Sequence, residues 1–197
     1  MPSDIEVHID FASGLKMVGT LHCQACRSGE ATSFEYHPDW LGNDARFSLE
    51  PALTLNRGAF APAGGAAIFG SIGDSAPDTW GRRLMQRVER RRAEREGRPP
   101  RTLTELDYLL GVSDISRVGA LRFRRTGEQE FQSPAAAGVP GLIELGRLLQ
   151  ATERILRDEE TDEDLQMIFA PGSSLGGARP KASVIDQHGR LSIAKLP

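Results

Sequence analysis

The sequence predicts an α+β fold, in which an N-terminal antiparallel sheet is combined with helices. Apolar and polar residues alternate over 5–11, a period of two that is typical of a half-buried strand. Turn residues follow at short intervals, beginning with Ser13-Gly14, as they do in antiparallel sheets. Further along, the apolar period lengthens, because Trp80, Leu84 and Val88 are spaced to form one stripe of a helix.

The composition is that of a globular protein with no bulk charge to attract nucleic acid. Of the 197 residues, 39 % are hydrophobic, and 24 Lys+Arg oppose 27 Asp+Glu, which gives a formal net charge of −3. This excludes a collagen, a mostly disordered chain and a disulfide scaffold, and it leaves only a local patch for nucleic-acid binding. No apolar run reaches the roughly 18 residues of a membrane span, and the acidic N-terminus has no signal-peptide core. We therefore expect a cytoplasmic protein without a membrane partner.

The elements of the N-terminal part follow from these patterns in order. We expect strands over 5–11, 16–23, 31–36 and 118–124, while Pro51 interrupts the mixed segment 47–55. Asp74 or Ser75 is expected to cap the first long helix, with Pro77 in its first turn. That helix should fade by residue 97, and a second one should span 104–110 and end at Gly111.

The C-terminal part begins after a polar, Ala- and Pro-containing stretch over 128–141, which is the candidate linker. Residues 142–156 predict an amphipathic helix, and 165–170 a short helix. Six of the seven residues over 158–164 are acidic, and we expect them to form a solvated turn. Two strands, 181–185 and 191–195, follow as a hairpin with Gly189 in its turn.

The stretch over 172–181, Gly-Ser-Ser-Leu-Gly-Gly-Ala-Arg-Pro-Lys, is a candidate phosphate-binding loop. Its glycines allow backbone N–H groups to approach phosphate oxygens, and Lys195 on the last strand adds a compact positive charge. It is not a Walker A loop, because Ala178 and Arg179 stand where that motif needs Lys and Ser/Thr. A glycine-rich hairpin with an exposed lysine, and no ligand, is the structural alternative.

Four segments together resemble the HipA family, the serine/threonine kinase toxins of bacterial type II toxin–antitoxin systems. They are spread over most of the chain in the family's order: 34–41, 69–82, 108–114 with 117–123, and 172–181 with 194–197. The resemblance implies a HipA N-terminal domain over 1–127, a linker over 128–141, and the start of a kinase core over 142–197. The expected fold is thus an N-terminal antiparallel sheet with helices, followed by the first strands of a protein-kinase-like N-lobe.

The resemblance also implies which residues bind ATP with Mg²⁺ and which partners exist. The loop serine that is a site of inhibitory autophosphorylation in the family matches Ser174, where added negative charge would oppose nucleotide binding. The implied partners are a HipB-like DNA-binding antitoxin, with DNA contacted only indirectly, and a protein substrate such as an aminoacyl-tRNA synthetase. The implied nucleotide-binding residues are Gly176, Gly177, Ala178, Arg179, Pro180, Lys181 and Lys195.

The sequence departs from a complete kinase in a way that bears on activity. Phosphoryl transfer needs an Asp to orient the substrate hydroxyl and Asp or Asn ligands for Mg²⁺, and no His-Arg-Asp or Asp-Phe-Gly stretch occurs. We therefore assign no catalytic and no metal-binding residue, and expect negligible kinase activity and weak ATP affinity. The alternatives are a non-catalytic module that inhibits a separate kinase chain, as an antitoxin would, and a stand-alone nucleotide binder.

Three other features have both a functional and a structural interpretation. Cys23 and Cys26 form a C-x-x-C pair, but a zinc site needs four ligands, so we expect ordinary thiols. Nine arginines over 82–101 predict either a docking face for DNA, tRNA or an acidic partner, or a solvated helix face with pairs such as Arg90–Glu94 and Glu94–Arg98. The remaining feature is a set of carboxylates to which we assign no chemistry: Asp74, Asp78 and Asp114.

Overall fold

A computed structural model describes residues 4–26, 29–132, 144–172 and 181–195, and it confirms an α+β architecture. The strands are β1 Ile5–Phe11, β2 Gly14–Cys26, β3 Gly29–Tyr36, β4 Ala59–Phe60, β5 Leu121–Arg125, β6 Lys181–Ile185 and β7 Leu191–Lys195. The helices are α1 Pro38–Leu41, α2 Gly70–Gly73, α3 Thr79–Arg95, α4 Glu105–Leu110, α5 Leu145–Leu156 and α6 Asp162–Gly172. None of these helices is long and apolar enough to cross a bilayer.

The first five strands form one antiparallel sheet in the order β4-β3-β2-β1-β5. Strand β1 lies between β2 and β5, so Ile5 is paired with Leu21 on one side and with Arg125 on the other. The register between β1 and β2 shifts between Val7 and His8, which marks a β-bulge. The strand expected over 118–124 begins only at Leu121, because Gly119 takes a positive φ of 89° and turns the chain.

One face of this sheet is apolar, as the alternation predicts. Its fully buried side chains include Ile5, Leu21, Phe34 and Phe123. Gly19 has no room for a side chain, because the neighbouring strand lies close to it. A Cβ there would lie 2.3 Å from the Glu35 carbonyl oxygen and against the Phe34 ring. The opposite face is polar: Arg124 Nε donates to Glu6 Oε2 at 2.6 Å across β5 and β1.

Helix α3 starts later than the sequence predicts. Asp78 occupies the N-cap position, whereas Asp74 lies at the C-cap of α2, where its N–H donates to the Gly70 carbonyl. The prediction of Asp74 or Ser75 as the cap was wrong, because Gly70–Gly73 already forms a separate helical turn that ends at Asp74. The predicted stripe is present, with Trp80 and Leu84 buried.

The chain divides into two compact units, and α3 falls in the second. One unit comprises 1–75, 104–106 and 119–132, and the other 76–103, 107–118 and 133–197. The predicted linker over 128–141 lies largely outside the described residues, so the domain limits expected from the sequence stay a prediction. The core of the second unit brings together α3, α5, α6 and β6 through Trp80, Leu84, Leu148, Ala151, Ile155, Leu165, Ile168, Ala182 and Val184.

Two residues near the C-terminal end of α4, both in the second unit, have closely defined surroundings. Gly111 ends the helix as predicted, and it has no room for a side chain, since a Cβ would lie 2.1 Å from Met85 Cε. Arg117 is buried, and its guanidinium donates to the Leu109 carbonyl at 3.0 Å and to the Val112 carbonyl at 2.9 Å. This side chain therefore satisfies carbonyl groups at the C-terminal end of α4, where helical partners run out.

Candidate functional site

The candidate site lies on the β6–β7 hairpin, whose two strands have the limits that the sequence predicts. The register pairs Lys181 with Lys195, Ser183 with Ile193, and Ile185 with Leu191. Asp186 closes the turn, because its carboxylate accepts the His188 N–H at 2.8 Å and the Arg190 N–H at 2.9 Å. The bond from the Arg190 N–H, and after it the bond from the His188 N–H, hold the pKa of Asp186 below its ordinary value.

The two faces of the hairpin differ in chemistry. Ala182 and Val184 are buried in the core, and Ala194 packs against it. The outer face carries Leu191, which is 50 % exposed, and Ile193, which is 59 % exposed. On β7 this face is exposed, whereas on β6 Ser183, which pairs with Ile193, is buried.

Two lysines lie directly opposite each other at the open end of the outer face. Residues paired across antiparallel strands project to the same side, so Lys181 and Lys195 are neighbours there. Lys195 is exposed and Lys181 is half-buried. An anion is attracted to two ammonium groups that share one face of a hairpin.

A signal in the composition points to the same pair, although the sequence analysis did not use it. Only 3 of the 24 basic residues are lysine, and they are Lys16, Lys181 and Lys195. The chain therefore uses arginine almost everywhere else. Lysine differs from arginine in presenting a compact ammonium group on a flexible stem, which suits a point contact with a phosphate oxygen.

The remaining predicted site residues lie outside the described part of the chain. This holds for Ser174 and for the predicted loop contacts Gly176, Gly177, Ala178, Arg179 and Pro180. Lys181 follows that segment directly, and α6 ends at Gly172 just before it. Of the predicted nucleotide-binding residues, the structure thus places Lys181 and Lys195 together.

The acidic turn over 158–164 is solvated only in part. Residues 158, 159 and 161–163 are exposed as predicted, whereas Glu160 and Asp164 are buried, and residues 162–164 form the first turn of α6. Arg154 on α5 forms a bidentate ion pair with Asp164, with Nε 2.7 Å from Oδ2. That pair, together with bonds from Thr161, lowers the pKa of Asp164. The sequence analysis missed these contacts because their arginine partners come from other helices.

Most arginines of the segment over 82–101 contact other residues of the protein. The pairs that form are Arg91 with Glu94, and Arg98 with Glu89 and Glu96, instead of the predicted Arg90–Glu94 and Glu94–Arg98. Another member, Arg82, lies 4.4 Å from the centre of the Tyr108 ring. This arrangement favours the structural interpretation over a DNA-docking face. Six of the nine arginines lie within 3.8 Å of a carboxylate oxygen: Arg87, Arg91, Arg92, Arg95, Arg98 and Arg101.

The two cysteines of the C-x-x-C pair lie within one strand. Cys23 and Cys26 are three residues apart on β2, so their Cα atoms lie roughly 10 Å apart. This exceeds the span of a disulfide. Burial, reinforced by Glu30 and Asp4, raises the pKa of the Cys23 thiol to about 12. Cys23 is therefore the ordinary thiol that the sequence predicts.

Within the described ranges, no group of three His, Cys, Asp or Glu side chains is placed to hold a metal ion. Protein ligands for the Mg²⁺ that the resemblance implies are thus not found there, and the site is defined by its lysines. The three carboxylates without assigned chemistry lie at helix ends or turns.

A scan against protein-family models finds no match for this chain, and a search of curated proteins finds no significant one.

Proposed function

We propose that the outer face of the β6–β7 hairpin binds the phosphates of ATP, as part of a HipA-like serine/threonine protein kinase. The observation that carries the proposal is the register of the hairpin, which pairs Lys181 with Lys195. The resemblance of the glycine-bearing segment over 172–181 to the family's nucleotide loop supports it from the sequence. In this proposal Gly176 and Gly177 let backbone N–H groups reach the phosphates, and Ser174 is the regulatory phosphorylation site.

The physical basis is the attraction of two ammonium groups on one hairpin for a phosphate. A phosphate held between them forms a charge-assisted contact with each one. Binding is consequently strongest for the polyphosphate end of the ligand and falls as salt concentration rises.

The apolar residues beside the lysine pair suit the base of the same ligand. Ile193 is two residues from Lys195 along β7, and Leu191 is two residues further, so all three share the outer face. A nucleobase lying on these side chains removes exposed apolar surface from water. We accordingly propose that ATP binds this face more tightly than inorganic triphosphate does.

Phosphoryl transfer is not proposed for this sequence by itself. The reaction requires an Asp that orients the substrate hydroxyl and acidic or amide ligands for Mg²⁺. The sequence contains neither a His-Arg-Asp nor an Asp-Phe-Gly stretch. The proposed role of these residues is to bind and orient the phosphates, while the catalytic Asp and the metal ligands belong to a further part of the kinase.

A titration with ATP tests the proposal. We expect saturable binding by calorimetry, weakened roughly tenfold by Lys195→Met or by Lys181→Met, since one charge-assisted contact contributes about 1.4 kcal/mol. Lys16→Met is the matched control because it removes the remaining lysine, which lies on β2 in the first compact unit. Absence of saturable binding by the unmodified chain, or equal binding by the Lys195 variant, contradicts the proposal.

The exposed apolar face of β7 favours a second candidate, a non-catalytic module that docks on a separate kinase chain. Among the described strands β7 pairs with β6 alone, which leaves its other edge free to add a strand. In that case Ile193→Asp abolishes inhibition of a separately produced HipA-like kinase, and Lys195→Met leaves that inhibition intact. The opposite pattern favours the nucleotide site.

A further inference from the structure

A charged clamp fastens the start of α6 to α3, far from the lysine pair. Arg87 Nη1 donates to both carboxylate oxygens of Glu160 at 2.9 Å, and Arg87 Nη2 lies 2.6 Å from Asp158 Oδ1. Arg91 Nη2 donates to the Glu160 carbonyl at 2.8 Å. Because Glu160 is buried, its ion pair with Arg87 is shielded from solvent and has a defined hydrogen-bond geometry.

The clamp joins directly to the N-terminus of α6. Thr161 and Asp164 form a capping box, in which Asp164 Oδ2 accepts the Thr161 N–H at 2.9 Å and Thr161 Oγ1 accepts the Asp164 N–H at 3.2 Å. Residue 160 immediately precedes this box. A displacement of Glu160 relative to α3 therefore moves the whole first turn of α6.

The first turn of α6 is also paired with Arg154 on α5 through Asp164, whereas the described side chains further along α6 pack mainly through apolar contacts. Leu165 and Ile168 on α6 belong to one buried cluster with Leu84 on α3 and with Ala182 and Val184 on β6. Apolar burial is non-directional, so it fixes how close the helix lies but resists sliding along the helix axis poorly. Directional ion pairs at one end supply the missing constraint.

We propose that Arg87 and Glu160 are positioning residues for the phosphate-binding lysine pair, because they set the axial position of the helix on which β6 rests. This inference rests on the proposed function for its effect on ATP. Its mechanical part is independent of ATP: loosening the clamp loosens the hairpin over 181–195.

The test compares four substitutions in the full chain. Arg87→Met and Glu160→Gln break the clamp, while Arg92→Met and Glu96→Gln break an exposed i,i+4 pair at the C-terminal end of α3, whose side chains are 64 % and 43 % exposed. Glu96 also pairs with Arg98, so Arg92→Met is the cleaner of the two controls. Circular dichroism first establishes a temperature at which every variant is fully folded. At that temperature, ATP affinity is measured by calorimetry and amide hydrogen exchange over 181–195 by mass spectrometry.

We expect each clamp substitution to weaken ATP binding about tenfold and to speed exchange over 181–195, with the control variants within twofold of the unmodified chain. The double variant Arg87→Met/Glu160→Gln should lose no more than Arg87→Met alone, because the Arg87–Glu160 contact is already absent in that single variant. Arg87→Lys keeps the positive charge but lacks the planar guanidinium group. Its ATP affinity should therefore lie between that of Arg87→Met and that of the unmodified chain.

The outcomes separate the two proposals. If the unmodified chain binds no ATP, the proposed function fails, and the exchange data alone decide whether the clamp positions the hairpin. If ATP binds and the clamp variants match the controls in both affinity and exchange, the positioning role is wrong while the proposed function stands. A loss of thermal stability without either change also contradicts the positioning role.

Discussion

Glu89 lies on the buried side of α3, and its neutralisation offers a direct test of how this unit is held together. Its carboxylate accepts a hydrogen bond from Arg98 Nη1 at 2.7 Å and another from the Arg101 N–H at 3.1 Å. Arg101 in turn forms a bidentate pair with Asp107 on α4, at 2.7 and 2.8 Å. Glu89 thus ties the turn after α3 to the helix.

These contacts dictate a pH dependence with a definite sign. The bond from Arg98, followed by that from the Arg101 N–H, lowers the pKa of Glu89 from 4.5 to about 2. Because the pKa is depressed in the folded chain, the stabilisation is complete above pH 4.5 and is lost as the pH falls toward 2.

The magnitude follows from the same values. A drop from 4.5 to about 2 corresponds to about 3 kcal/mol at 1.36 kcal/mol for each tenfold change in proton affinity. Arg98 and Arg101 are partly open to solvent, with side chains 33 % and 55 % exposed, so screening reduces the net effect to about 1–2 kcal/mol.

Urea unfolding of Glu89→Gln, followed by far-ultraviolet circular dichroism at pH 7 and at pH 3, measures this quantity. At pH 7 we expect a loss of about 1–2 kcal/mol, which lowers the urea midpoint by roughly 0.5–1 M. At pH 3 the variant and the unmodified chain should approach each other. Glu94→Gln is the control, since Glu94 is exposed and its oxygen lies 3.7 Å from Arg91. An equal difference between Glu89→Gln and the unmodified chain at both pH values refutes the reasoning.

Two further predictions concern packing and thiol reactivity. Gly111→Ala should destabilise the protein by about 2–3 kcal/mol in urea unfolding, because the added Cβ would lie 2.8 Å from the Asp107 carbonyl oxygen and would also displace the end of the Met85 side chain. Gly146→Ala on α5, with no atom within 4 Å, should be neutral or stabilising by up to about 1 kcal/mol, and equal effects of the two would contradict the packing. In a Cys26→Ser background, Cys23 should react with a thiol reagent at pH 8 only after unfolding, because burial and its raised pKa disfavour the thiolate. Rapid reaction of the folded chain would show that the thiol is accessible.

Local patterns explain why the hairpin and the first strand could be predicted closely. The limits of β6 and β7 match those expected, since alternating residues and Gly189, which has a φ of 75°, specify a hairpin within 15 residues. The order of the sheet could not be predicted in the same way. Strand β5 pairs with β1, which is more than 100 residues away, and no local pattern encodes that choice.

Charged residues show most clearly where sequence reasoning stops. The acidic turn and the arginine run were each interpreted within their own segment, as a solvated turn and as a docking or solvated face. Arg87 and Glu160 lie 73 residues apart, and only the packing of α6 against α3 brings them together. Helical periodicity assigns a residue to a face of its own helix, but it does not say which distant segment covers that face.

The sequence by itself determined the α+β class, the two strands of the hairpin, and Lys181 and Lys195 as candidate ligand groups, because those properties depend on neighbours within a few residues. Only the tertiary structure decided that the two lysines share one face of the hairpin, that Gly111 has no room for a side chain, and that buried carboxylates are paired with arginines from other helices. Those properties depend on which surfaces exclude water together, and that is settled only when the whole chain is packed.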